Sequence, residues 1–152
     1  MRSLARLVAF VGSAVALTGC TMFGARIHVA RAEGAPFTQR EEDAAKAVVD
    51  EICRAAGFRE GRPKPGDPSS SWPYVDFVSF DGEGSEQDTV GIVGMMRRDR
   101  REILISIGDW NRSDPLPATR NLVDDLRSAL QRSFPDARIE VTREDKPRLF
   151  GP

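Results

Sequence analysis

Histidine, tyrosine and cysteine are scarce in this chain: one His, one Tyr and two Cys in 152 positions. A single histidine, His28, rules out a zinc site of the His/Cys type, which needs three or four such ligands. A Ser/His/Asp or Cys/His centre would need that one ring held rigidly beside a nucleophile, and its surroundings read as a connecting segment. There is no phosphate-cradling loop, because Gly82 and Gly84 lie in an acidic stretch with no lysine after them. With 22 basic and 23 acidic residues the chain lacks the net basic surface of a nucleic-acid-binding protein. Nothing in this inventory implies a cofactor.

Long apolar runs are missing too, with one exception. Leu7 to Leu17 is continuous in small and apolar residues, follows the basic pair Arg2 and Arg6, and precedes the first acidic residue, Glu33. Such a run is too short to remain as a membrane-spanning helix and has the layout of a secretory signal peptide. It ends in Leu17-Thr18-Gly19-Cys20. That tetrapeptide resembles the lipobox of bacterial lipoproteins. The resemblance implies cleavage between Gly19 and Cys20, thioether lipidation of Cys20, and acylation of the new amino terminus by a fatty acid such as palmitate. Thr21 stands where aspartate would mark inner-membrane retention, so the resemblance implies the outer membrane, periplasmic face, in a Gram-negative cell. It covers the export segment and not the domain behind it.

Taking residues 1–19 from the 152 leaves 133, enough for one domain and a tether. With Cys20 lipidated, Cys53 has no partner, and the domain must hold together without a disulfide. Residues 20–36 read as the tether, with a possible edge strand at Arg26–Arg31, where polar and apolar positions alternate. The domain is expected over 37–145, and 146–152 as an irregular tail.

Within the domain, Thr38 and Glu41 have capping-box spacing, and Ala45, Val48, Val49, Ile52, Cys53 and Ala56 recur on one helical face before Gly57. These signals predict a helix over about 38–56. Four prolines and three serines make 59–73 a loop, with Trp72 expected as a hydrophobic plug. Strands follow at 74–80, 89–97 and 102–108, where Gly91 and Gly94 signal a bulge or close packing. A second helix is predicted over 117–133, with Leu122, Leu126, Ala129 and Leu130 as its stripe, and a last strand over 137–143. The segment 102–143 reads as a crossover joining parallel strands. The order predicts an α+β two-layer sandwich, both helices on one face of a mixed four- or five-stranded sheet, with the ferredoxin-like arrangement as nearest relative.

Two clusters stand out as candidate sites. Asp81, Glu83, Glu86 and Asp88 bring hard oxygen ligands to one glycine-containing loop, although the EF-hand pattern is not met: its sixth position would be Glu86 and its twelfth Ile92. Arg97, Arg98, Arg100 and Arg101 suit lipid phosphates or an acidic partner, and equally suit a charged turn that blunts strand pairing. The functional expectation is a membrane-anchored, non-catalytic binding or structural domain with an envelope protein partner. The alternative is a hydrolase using carboxylates alone, with Asp76, Asp81 and Asp109 as candidates.

Overall fold

The computed structural model describes residues 23–31, 33–64, 66, 68–82, 89–109 and 116–144. Its elements in chain order are β1 (Phe23–Arg31), α1 (Gln39–Ala55), β2 (Arg59–Glu60), β3 (Tyr74–Asp81), β4 (Val90–Arg97), β5 (Glu102–Asp109), α2 (Pro117–Ser133) and β6 (Ala137–Glu144). The fold is α+β, and its six strands form one open sheet in the order β2-β3-β4-β5-β1-β6.

Every neighbouring pair is antiparallel, so the sheet is not mixed. The physical reason lies in β1. Strands β5 and β6 are joined through α2 and run parallel to each other, but β1 is inserted between them and pairs antiparallel with both. This split β-α-β is a unit of ferredoxin-like sheets, here extended beyond β4 by β3 and the two-residue β2. The expected edge strand is therefore an interior one. Ala25, Ile27 and Val29 are fully buried and lie opposite Ile107, Ile105 and Ile103. Residues 23–31, expected in the tether, thus belong to the folded unit.

Helix α1 forms where its end signals predicted. The Thr38 side chain accepts from the Glu41 backbone N–H, and the Glu41 carboxylate accepts from Thr38 N at 2.8 Å. The Thr38 backbone N–H, followed by its hydroxyl, holds the Glu41 carboxyl below its ordinary pKa, with Arg31 adding to the effect. At the other end Gly57 takes a φ of 85°, Phe58 N donates to Cys53 O at 2.9 Å, and Gly57 N donates to Arg54 O at 3.1 Å. That Schellman pattern brings Phe58 back into the core beside Cys53. Helix α2 starts with Pro117 at its first position and buries Leu122, Val123, Leu126 and Leu130. Both helices cover the face formed by Ile27, Ile92, Ile103, Ile105, Ile107 and Phe80.

One irregularity shapes the sheet. The β3–β4 register shifts between Asp76 and Val78, so Phe77 is an extra residue on a bulge. Gly94 lies opposite Val78, where both neighbouring side chains crowd in.

Candidate functional site: the open face of the sheet

Strand alternation sends every second residue away from the helices. On β1 these are Gly24, Arg26, His28 and Ala30; on β5, Glu102, Leu104, Ser106 and Gly108; on β4, Gly91, Val93, Met95 and Arg97. The open face divides into a charged network at one end and a trough at the other.

The network centres on Glu102, the first residue of β5. Tyr74 donates its hydroxyl to Glu102 Oε2 at 2.9 Å, and His28 Nδ1 lies 2.5 Å from Oε1. Arg97 Nη1 is 3.8 Å from the same carboxylate, and Arg97 Nη2 is 2.8 Å from Asp99. Burial, and then the hydrogen bond to Glu102, push the Tyr74 hydroxyl up to about 12. It is thus a neutral donor at any physiological pH. His28 is not in a tether, as its sequence context suggested, but on a central strand. Among the described residues its hydrogen-bond partner is Glu102 and not a hydroxyl or thiol nucleophile. The Glu102 carboxylate orients the ring and, among the described residues, the ring is paired to nothing it could activate.

The trough lies toward the other end, at the Phe23 end of β1. Gly24, Gly108 and Gly91 stand opposite one another across β1, β5 and β4, and form the last open-face row of those strands. Three adjacent residues without side chains leave a depression of about 480 Å³. Its walls carry both charges and apolar surface: Arg26 and Lys64, Asp76 and Asp81, Val93 and Met95. Lys64 comes from the loop after β2, which continues the edge of the sheet through Gly61 N donating to Ser79 O at 2.8 Å. No pattern of spacing announces this trough. Its only trace in the sequence is three glycines in strand-like segments, and what brings them together is the register.

The carboxylate candidates are separated by the same register. Asp109 points to the helix side, is fully buried, and accepts from the Thr89 hydroxyl at 2.7 Å. Asp76 and Asp81 share the trough, but their partners on β4, Met95 and Gly91, are four residues apart. That spacing is about 13 Å of strand. Of the four acidic-loop candidates, Asp81 is the exposed last residue of β3, while Glu83, Glu86 and Asp88 lie outside the described residues.

The arginine cluster sits at the opposite end of the sheet, seven residues of β5 or about 23 Å from the glycine row's end. Arg100 has a φ of 60°, closing the turn in which its N–H donates to Arg97 O at 2.7 Å. Its side chain donates to Phe37 O at 2.8 Å and pairs with Glu42 at 2.8 Å. Arg98 Nε donates to Trp72 O at 3.1 Å, and the Arg101 backbone N–H donates to Asp99 Oδ1 at 3.1 Å. Three of the four guanidinium groups therefore work within the fold. Trp72, expected as a plug, is instead 54 % exposed beside Tyr74. Trp110 lies outside the described residues. Comparison of the chain with family models, with curated proteins and with solved structures finds no match.

Proposed function

We propose that this chain is a lipid-anchored protein of the bacterial envelope, held to the periplasmic face of the outer membrane through Cys20, whose folded domain binds rather than catalyses. The observation that carries the reading is a coincidence of positions. The export segment closes with Leu17-Thr18-Gly19-Cys20, and the sheet begins three residues later at Phe23. Three residues span at most about 10 Å, so a lipid on Cys20 holds the Phe23 end of the sheet against the bilayer. Thioether and amino-terminal acylation together give more than one chain, the condition for a stable anchor.

Two features favour binding over catalysis. Among the described residues His28 pairs with a carboxylate and not with a hydroxyl or thiol, and the strand positions that carry the open-face acids Asp76 and Asp81 are about 13 Å apart along the sheet. Paired carboxylates that hydrolyse glycosidic bonds stand about 5–9.5 Å apart. The hydrolase alternative therefore has the weaker support.

The test is cell fractionation of Cys20→Ser. Loss of the protein from the membrane fraction, or accumulation of an unprocessed form, is the expected result. A Cys20→Ser chain that still sediments with membranes at the mature mass would overturn the anchor.

A further inference from the structure

We infer that β6, the outer strand of the sheet, pairs antiparallel with β6 of a second copy of this chain, joining two sheets edge to edge. The two edges of the sheet are built differently. At one, β2 is two residues long, and the sequence after it carries Pro63, Pro65 and Pro68, which have no N–H to offer a neighbour. At the other, β6 runs for eight residues, ARIEVTRE, with neither proline nor glycine. Strand β1 takes the hydrogen-bonding groups on one side of β6, and among the described residues no strand takes those on the other. Such an edge is a template for a further strand.

The side chains select the strand's own copy. Arg138 and Glu140 lie on the open face, 73 % and 56 % exposed, and pair with each other along the strand. Ala137, Ile139 and Val141 lie on the helix side and are only partly buried. Antiparallel pairing about a two-fold axis at Ile139 sets Ile139 opposite Ile139, Ala137 opposite Val141, and Arg138 opposite Glu140. Apolar meets apolar, and each cation meets an anion. The pair within each chain is kept, because a carboxylate has two oxygens and can accept from both arginines, so that two guanidinium and two carboxylate groups alternate. An axis one residue on would instead set Glu140 opposite Glu140 and Ala137 opposite Arg143. A partner strand with charges of one sign would meet as much repulsion as attraction here. The axis is perpendicular to the sheet. Gly24, level with Glu144, is five residues from it, so the two copies of Gly24 lie about 33 Å apart along the strands. Two lipid anchors at Cys20 fit one bilayer when the joined sheet lies along its surface. The pairing itself does not require the lipid.

The chain purified from cells in a neutrally buoyant detergent is followed by sedimentation equilibrium, and a reversible monomer–dimer equilibrium is expected. Arg138→Glu and Glu140→Arg should each weaken the dimer about tenfold, because each turns two attractive cross-strand pairs into repulsive ones. The two variants mixed in equal amounts should recover the wild-type affinity, since every facing pair is again of opposite sign. Arg138→Glu/Glu140→Arg in one chain should recover it too. Arg40→Glu, the same charge change on α1, should leave the affinity unchanged. Two chains that merely share a micelle would respond to none of these changes. A chain that stays monomeric at millimolar concentration, or a dimer indifferent to both single variants, would overturn the pairing. So would an equal loss with Arg40→Glu, or a mixture of the two single variants that associates no better than either alone.

Discussion

Gly94 leaves room for the tip of the Phe77 ring. A Cβ at residue 94 would stand 2.9 Å from Phe77 Cζ and 2.6 Å from Val78 Cγ1, closer than side-chain carbons approach one another. The bulge that places Phe77 and Val78 there thus depends on a bare backbone at the facing position. Gly94→Ala should destabilise the fold by about 1–3 kcal/mol, the usual cost of overpacking a dense core. Denaturant titration measures it; an unchanged midpoint would mean that the bulge yields freely.

The two-layer packing has a sharper test in neighbouring residues of α2. Leu126 is fully buried and Arg127 exposed. Leu126→Ala should cost about 2–5 kcal/mol through the cavity left against the isoleucine face. Arg127→Ala should stay within about 0.5 kcal/mol. Equal losses at the two positions would contradict the register of the helix on the sheet.

The first and last turns of α1 and the stripe of α2 were legible in the sequence because each depends on residues close together in the chain. Thr38 acts with Glu41 at one end, and Gly57 and Phe58 act with Arg54 and Cys53 at the other, each pair within five residues. Strand partners are a different matter. Arg26–Arg31 shows an alternation of period two, but nothing local states that β5 and β6 will close on both its sides. The tether, the mixed sheet and the isolated His28 all followed from missing that one insertion. The trough was invisible for the same reason: Gly24, Gly91 and Gly108 become a site only through pairing across 84 positions of sequence.

Cys53 offers a test by pH. The thiol is fully buried, and desolvation, with Asp50 contributing, pushes it from 9.0 up to about 12. A thiol that resists ionisation in the folded state contributes stability in full below the unfolded value and loses it as pH rises toward the folded one. Wild-type stability should therefore decline between about pH 9 and 12 more steeply than that of Cys53→Ala, the second chain being the reference for all other titrations. Rapid reaction of the native thiol with a labelling reagent at neutral pH would contradict the burial.

Arg100 combines a left-handed backbone with a side chain that ties the 97–101 turn to Phe37 and Glu42. Arg100→Gly removes the ties and relieves the backbone; Arg100→Ala removes the ties alone. Both should destabilise, and alanine should be worse than glycine by about 1 kcal/mol, the cost of a left-handed non-glycine residue. Chemical unfolding of the pair reads the difference directly, and an alanine variant as stable as the glycine variant would refute strain at this turn.

The central claim is the proposed lipid at Cys20, which would hold the Phe23 end of the sheet at the bilayer. Intact-mass and peptide mass spectrometry of the protein isolated from membranes measures it most directly. The account predicts a mature chain whose first residue is Cys20, bearing a thioether-linked diacylglyceryl group and an acylated amino terminus. A membrane-extracted chain that retains residues 1–19, or that begins at Cys20 with a free thiol, would contradict it.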